Sequence, residues 1–406
     1  MNHYSAYQFT GFRVVLGLYV AVHFGTLIPY AGELFSRSGM IPNPRLNPTF
    51  AIFPNALSLV DSPLGVQLFL GGLCLLAVLF VLGFQRRAAA LLLWFGWACL
   101  LNRNSLIANP GIPYVGWLLL ACALIPPGEP LSWRPGAGPQ RPWAMPPPLY
   151  WGAWWLMAAG YTLSGLHKLQ SPSWIDGSAL AQVLANPLAR PYGLREWLLG
   201  LPPAALRLAT WSALLLEVGF LPLCLFRTTR KWAWLLFIGF HLGILTVVDF
   251  ADLTLGVLMI HLFTFDARWV APKGPQEHPI VFFDGVCGLC DRFVHFALAE
   301  DRDRVLLFSP LQGRTARHLV DPAALEAMDT VVLVAGGRTY RRSSAVLHLF
   351  AHLGGIWRLL AMAGSLVPAR WRDRIYRFVA SHRYQWFPGR ETCRLPSAAE
   401  RAQFLD

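Results

Sequence analysis

The sequence is poor in charged residues. Asp, Glu, Lys and Arg make up 14% of its 406 residues, whereas about 25% is usual for a soluble domain. Hydrophobic residues make up 55% of the chain. This balance argues against a fully soluble protein. It favours a polytopic membrane protein with enough chain for a second domain.

Acidic residues are scarcer than basic ones, 22 against 34, which gives a net charge of +12 at pH 7. We do not interpret the excess as a nucleic-acid-binding surface, because the arginines are spread between apolar runs and through the C-terminal region. Basic residues that flank apolar runs are expected at lipid headgroups. The lipid bilayer is therefore the predicted partner, and nucleic acid is not.

A cleavable signal peptide is not evident, since little positive charge precedes the first apolar run and no small-residue cleavage site follows it. We interpret that run as the first of about eight transmembrane helices of roughly 20 residues each. Pro-rich segments separate them, as expected for loops. The predicted spans are residues 8–30, 63–84, 87–103, 106–125, 149–168, 206–226, 232–248 and 252–266.

An even number of spans places both termini on one side of the membrane. The connections on that side are strongly basic, and the positive-inside rule assigns such connections to the cytoplasm. The basic residues concerned are Arg86, Arg87, Arg134, Arg141, Arg227, Arg230, Lys231, Arg268 and Lys273. We predict an integral protein of a bacterial inner membrane with cytoplasmic termini.

The composition changes after residue 266. Residues 1–266 are the predicted membrane domain, residues 267–279 a Pro-rich linker, and residues 280–406 an α/β domain. Strands are predicted at 279–283, 305–308, 330–334 and 339–341, with a Gly-Gly hairpin turn before the last. Helices are predicted between them, one of them at 311–320. The resulting order is β-α-β-α-β-β-α.

The chain lacks a second CxxC motif. Cys287 and Cys290 are the only two of its seven cysteines with that spacing, and they lie between a predicted strand and a predicted helix. Unpaired N–H groups at a helix start favour a thiolate on Cys287, and Cys290 is spaced to form a disulfide with it. The alternatives are half of a zinc site, which needs about four ligands, and an inert pair. The remaining cysteines are interpreted as packing residues in apolar runs, Cys74, Cys99, Cys122 and Cys224, or stand alone, Cys393.

Asp284 begins the turn that carries the cysteines. Its carboxylate could tune their ionisation or relay protons. It could equally cap the turn by accepting backbone N–H groups.

The motifs of the C-terminal region resemble the DCC family of thiol-disulfide oxidoreductases. They are FDGVCGLC (283–290), PLQ (310–312), RSSAV (342–346), DRIYR (373–377) and CRLP (393–396). The resemblance implies a thioredoxin-like fold and thiol–disulfide exchange by Cys287 and Cys290. Unlike thioredoxins, the chain has no Trp before Cys287 and no Pro directly before the strand at Thr330.

The segment YTLSGLHKL (161–169), followed by Trp174 and Gly177, is similar to the vitamin K-dependent γ-carboxylase and its bacterial relatives, the HTTM domains. The resemblance covers roughly residues 5–265 and implies Lys168 as a catalytic base and a possible quinone-like ligand. Asn104 stands where the carboxylase has a helper histidine. From the residues alone, Lys168 could equally be a snorkelling anchor.

Glu217 lies deep in a predicted span, where an ionisable group needs a partner. The candidate partners are Arg13, His241 and His261.

The leading hypothesis is a membrane-tethered protein-disulfide reductase. The Cys287 thiolate attacks a disulfide-bearing protein or small molecule, Cys290 resolves the mixed disulfide, and an unidentified reductant restores the pair. The pair itself requires no cofactor. The alternative is a membrane enzyme or carrier for a lipid-soluble, quinone-like molecule, to which the pair donates electrons. A third possibility is a scaffold without catalysis.

Overall fold

The computed structural model describes residues 4–133, 143–272, 278–322, 325, 330–387, 396–398 and 400–406. The chain divides into two compact units, Met1–Phe265 and Asp266–Asp406. The described part of the first unit is helical, and a four-stranded sheet lies in the second.

Eight helices of 14 or more residues form most of the described part of the first unit. Their starts follow from the sequence, because Ser5 and Ser62 accept hydrogen bonds from the N–H groups of Gln8 and Gly65. Pro residues occupy first turns where no N–H donor is needed. The helices are α1 (Ala6–Leu27), α2 (Pro63–Val81), α3 (Arg86–Arg103), α4 (Gly111–Leu124), α5 (Pro147–Lys168), α6 (Pro203–Leu225), α7 (Arg227–Val247) and α8 (Ala251–Thr264).

Each predicted span coincides with one of these helices, but the number of about eight spans is not supported. By length and composition, three described stretches could cross a membrane: Ala6–Phe35, Pro63–Val81 and Pro203–Leu225. Gly111–Leu124 and Ala251–Thr264 are apolar but shorter. Two of the remaining helices are more polar at their ends, since α3 begins and ends with arginine and α7 begins with the residues RTTRK. The predicted cytoplasmic orientation stays a prediction.

Arg86 is buried inside the first unit and is not an exposed basic residue at the end of a predicted span. Its Nε donates to Glu129 Oε1 at 2.7 Å, and Arg13 Nη1 donates to the same oxygen at 3.2 Å. All three side chains are at most 3% exposed. A carboxylate shared by two arginines offsets much of the cost of burying them. Three other residues used for the topology prediction, Arg134, Arg141 and Lys273, lie outside the described residues.

The second unit contains a mixed sheet with strand order β2-β1-β3-β4. Its strands are β1 (Ile280–Phe283), β2 (Leu307–Pro310), β3 (Val332–Ala335) and β4 (Arg338–Arg341). β1 pairs with β2 in parallel, so that Phe283 lies opposite Pro310, and with β3 in antiparallel fashion. β3 and β4 form a hairpin whose turn, Gly336-Gly337, has φ values of 57° and 68°. This left-handed conformation is the one that glycine adopts at no steric cost.

In the described part of this unit five helices accompany the sheet: α9 (Gly288–Glu300), α10 (Arg314–Leu319), α11 (Arg342–Leu353), α12 (Gly355–Ser365) and α13 (Ala369–Trp386). Both faces of the sheet are covered. Successive side chains of β1 point to opposite faces, as in any strand. Val281 and Phe283 share one core cluster with Val294 of α9 and Leu349 of α11. Phe282 belongs to a second cluster with Ala316 of α10 and Val332 of β3.

Strands β2 and β3 each begin two residues later than predicted, because side chains accept hydrogen bonds from N–H groups near their predicted starts. The Asp301 carboxylate accepts from the N–H groups of Val305 and Leu306 at 3.0 and 2.8 Å, and β2 begins at Leu307. The Tyr376 hydroxyl accepts from Val331 N–H at 2.9 Å, and β3 begins at Val332.

Helix α10 is also shorter than predicted. Leu311 N–H donates to the Phe283 carbonyl at 2.8 Å, and Gly313 N–H closes a turn onto Pro310. The chain therefore continues the edge of the sheet before the helix starts at Arg314.

Candidate active site

The CxxC segment occupies the turn between β1 and α9. Cys287 is the N-cap residue of α9, with extended backbone angles, and its carbonyl accepts from Asp291 N–H at 3.0 Å. The first helical N–H groups therefore lie beside the Cys287 side chain, where they are free to donate to an anion. Cys290 lies one turn further along the helix and reaches back to the same place.

The two cysteines are not joined by a disulfide, and their thiols ionise differently. A hydrogen bond donated by the Cys290 thiol, backbone N–H groups of Cys290 and Leu289, and the charge of Arg383 lower the pKa of Cys287 to about 6 against the opposing effect of burial. The same hydrogen bond, together with burial and the Cys287 charge, raises the pKa of Cys290. Near neutral pH the pair therefore holds one thiolate, on Cys287, and one thiol, on Cys290.

Asp284 joins this turn to the last helix. Its Oδ1 accepts from Val286 N–H at 3.2 Å and from Gln312 Nε2 at 3.0 Å. Its Oδ2 accepts from Arg383 Nη2 at 3.1 Å and from the Tyr384 hydroxyl at 2.5 Å. The carboxylate thus caps the turn and also holds Arg383 near the cysteines. The predicted role of Asp284 in tuning the cysteines or relaying protons stays a prediction.

Arg383 is the main member of the site that the sequence did not reveal. It is 99 residues from Asp284, and its helix carries several other arginines in a repeating basic pattern. The only available signal was that a buried Asp284 requires a cation, which does not say which one. Gln312 belongs to the PLQ motif, and the parallel pairing of β1 with β2 brings it to the turn, where its Oε1 also accepts from Gly285 N–H at 3.2 Å.

Tyr376 lies beside Thr330 and Val331, just before β3. Its hydroxyl accepts from Val331 N–H and lies 3.3 Å from Thr330 Oγ1. The DRIYR motif is further tied to the RSSAV motif, since Ser343 donates to the Asp373 carboxylate. Among the described residues no peptide bond is cis.

Both sulfur-bearing side chains are covered. Cys287 is 1% exposed and Cys290 is 8% exposed. Cys290, and not Cys287, lines an apolar cavity of about 280 Å³ together with residues of α9, α11 and α13. A large substrate can therefore reach the Cys287 sulfur only if the side chains around it move.

The zinc alternative finds no support in the described residues, where no group of three or more His, Cys, Asp and Glu side chains could hold a metal ion. Cys393 lies outside the described residues, and so does the CRL part of its motif.

In the first unit, Glu217 has a partner other than the three predicted. Its carboxylate oxygens lie 2.5 and 2.6 Å from Lys168 Nζ, and Ser164 donates to it at 3.2 Å. The prediction was wrong because Lys168 was assigned to the membrane boundary. Helix α5 in fact passes alongside α6, and Gly165 allows the close approach, since a Cβ there would lie 2.7 Å from Val218 N.

The three predicted partners of Glu217 are engaged elsewhere. Arg13 bonds to Glu129. His241 Nε2 and His261 Nε2 lie 2.7 and 2.8 Å from the Tyr161 hydroxyl. Asn104, at the helper-histidine position of the resemblance, donates to the Leu34 carbonyl at 2.9 Å.

The second unit thus combines a small mixed sheet with a CxxC pair at a strand–helix turn. A family model for the DCC1-like thiol-disulfide oxidoreductase matches residues 281–388. The Bacillus subtilis protein named uncharacterized protein YuxK is 37% identical over 128 residues, which are 31% of this chain and 93% of that protein. The DCC family protein At1g52590, chloroplastic, of Arabidopsis thaliana is 35% identical over 122 residues, 30% of this chain and 71% of that protein.

The chain belongs to this DCC1-like family through its C-terminal region. No solved structure matches it. The similarity of the first unit to HTTM domains and the γ-carboxylase stays a prediction.

The pH dependence of Cys287 reactivity tests the described ionisation. Because its pKa is lowered to about 6, iodoacetamide labelling of Cys287, followed by peptide mass mapping, should rise between pH 5 and 7 and level off above it. Arg383→Gln should shift this rise to higher pH, because a stabilising charge is lost. Arg370→Gln, at the other end of α13, should not. A rise that continues to pH 9 in the unchanged protein would contradict the assignment.

The Lys168–Glu217 pair should be strongly coupled. Lys168→Met leaves a buried carboxylate without its cation and should cost about 3–5 kcal/mol, measured by thermal unfolding in detergent. Lys168→Met combined with Glu217→Met should recover most of that loss. As a control, Arg190→Met breaks an ion pair whose Asp249 side chain is 70% exposed, and it should cost less than about 1 kcal/mol. Equal losses in the two single variants would show that the buried pair does not exist.

Proposed function

We propose that this protein is a membrane-tethered thiol–disulfide oxidoreductase that works as a disulfide reductase. The observation that carries the proposal is the asymmetric pair, in which Cys287 has a lowered pKa and the adjacent Cys290 a raised one. Family membership supports a redox function. Three described stretches of the first unit are long and apolar enough to cross a membrane, which is compatible with a tether.

The proposed reaction has two steps. The Cys287 thiolate attacks one sulfur of a substrate disulfide, forms a mixed disulfide and releases the other half as a thiolate. Cys290 then loses its proton to the released thiolate and attacks Cys287, which releases the second half. The second half leaves as a thiolate and takes a proton from water. The products are two substrate thiols and a Cys287–Cys290 disulfide. An external dithiol reductant then reduces that disulfide, becomes a disulfide itself and restores the pair.

Arg383 and Asp284 would act on the thiolate without touching the substrate. The guanidinium stabilises the Cys287 thiolate before attack and again when the reductant restores the pair. Asp284 keeps Arg383 in place through one of its carboxylate oxygens. The thioredoxin-like fold and the cytoplasmic position of this unit belong to the same proposal. In a reducing compartment the pair would be kept in its dithiol form.

A second candidate function concerns the first unit. The hydrogen-bonded set Tyr161, His241 and His261 is buried among apolar helices. In the Lys168–Glu217 ion pair the Glu217 side chain is buried and the Lys168 side chain is 25% exposed. Ionisable residues in such places are costly and are commonly functional. In this version the unit binds a lipid-soluble, quinone-like molecule and the cysteine pair supplies electrons. Loss of activity in a double Cys287→Ser/Cys290→Ser variant but not in Lys168→Ala would favour the reductase alone.

Cysteine replacement tests the proposed function directly. With the full chain in detergent, Cys287→Ser should abolish reduction of a peptide disulfide. Cys290→Ser should stop the reaction after the first step, because the resolving sulfur is missing, and the mixed disulfide should be detectable by intact mass. Cys74→Ser, a cysteine outside the turn, should behave like the unchanged protein. Full activity in Cys287→Ser would refute the proposal.

A further inference from the structure

The cavity beside the cysteine pair is apolar and is not filled by the described side chains. Its volume is about 280 Å³. Most of its wall consists of Leu289, Phe293, Val346, Phe350, Val379 and Ala380. A cavity of roughly 150 Å³ with such a lining stays dry and can bind benzene. The apolar lining beside the cysteine pair therefore suits an apolar group of a bound molecule.

The cavity is open to incoming molecules. The six wall residues named above are only partly buried, whereas Cys290 at its inner end is 8% exposed. A group that enters therefore passes between the side chains of α9, α11 and α13 and ends against the Cys290 sulfur.

The polar groups at the cavity are already engaged with the protein. The Tyr376 hydroxyl bonds to Val331 N–H, and Arg383 bonds to the buried Asp284 carboxylate. Apart from Cys290, Tyr376 and Arg383 the lining is apolar, so it recognises its occupant mainly by apolar contact.

We propose that the cavity is the substrate subsite of the redox pair and takes a large apolar group, aromatic or branched aliphatic, bonded close to the substrate disulfide. This inference rests on the proposed reductase function and specifies its substrate class. The group anchors one half of the substrate next to Cys290. The mixed disulfide on Cys287 then stays within reach of the resolving sulfur. The electrons pass as in the two-step reaction above, and the apolar group is not itself changed.

Two peptide disulfides that differ only in the residue beside the cysteine, Phe or Ser, test the inference. The reduced full chain in detergent is mixed with each, and oxidation of the pair is followed in a single turnover. The Phe peptide should react about tenfold faster or more, because burial of an aromatic side chain is worth at least that factor. Bis(2-phenylethyl) disulfide against bis(2-hydroxyethyl) disulfide tells whether a small molecule suffices or whether a peptide is needed.

Two neighbouring substitutions on α13 provide the matched control. Ala380→Phe places a ring in the cavity and should reduce the Phe-to-Ser rate ratio to about one. Ser381→Phe, at an exposed position outside the cavity, should keep the ratio. If Ala380→Phe does not fold, the Phe-to-Ser rate ratio of the unchanged protein still shows whether the subsite prefers an apolar group.

The experiment separates failure of the proposed subsite from failure of the reductase function. A ratio near one in the unchanged protein, with both peptides reduced, would overturn the subsite and leave the reductase intact. Absence of reaction with all four disulfides would overturn the reductase function itself, and the subsite with it.

Discussion

The ion pair between Asp284 and Arg383 is the interaction on which the redox turn depends. It joins the first strand of the second unit to its last helix, and both side chains are at most 9% exposed. The Asp284 carboxylate fixes the turn through Val286 N–H, while the guanidinium that it holds stabilises the Cys287 thiolate. A single carboxylate thus connects the shape of the turn with the ionisation of its nucleophile. Removal of either partner would leave the other as a buried uncompensated charge.

Local sequence patterns predicted the local structure of this site well. The apolar run before the cysteines forms β1, the Gly-Gly pair forms the hairpin turn, and the CxxC motif lies at the strand–helix junction as expected. The strand limits could not be predicted, because they depend on Asp301 and Tyr376, side chains that take N–H groups away from the sheet. Nor could Arg383 be chosen from the arginines of α13, since its contact with Asp284 arises only in the folded chain.

In the first unit, too, local sequence patterns predicted the helices but not the contacts between residues far apart in the sequence. Helices occur in all eight predicted positions, yet three stretches have the length and composition to span a membrane. Two predictions were wrong because each considered a charged residue without its partner in the folded chain. Arg86 was assigned to the headgroups and instead shares Glu129 with Arg13, and Glu217 is paired with Lys168. Buried ions in this unit are explained by their partners, which hydropathy does not reveal.

The central claim is that Cys287 and Cys290 form one two-electron redox pair, and a redox titration measures this most directly. The full chain is equilibrated with dithiothreitol at defined ratios of its reduced and oxidised forms. The remaining thiols are then alkylated and mapped by peptide mass. The account predicts that Cys287 and Cys290 lose their labels together, with the slope of a two-electron couple. Labels that persist under every oxidising ratio, or that disappear from the two cysteines independently, would contradict it.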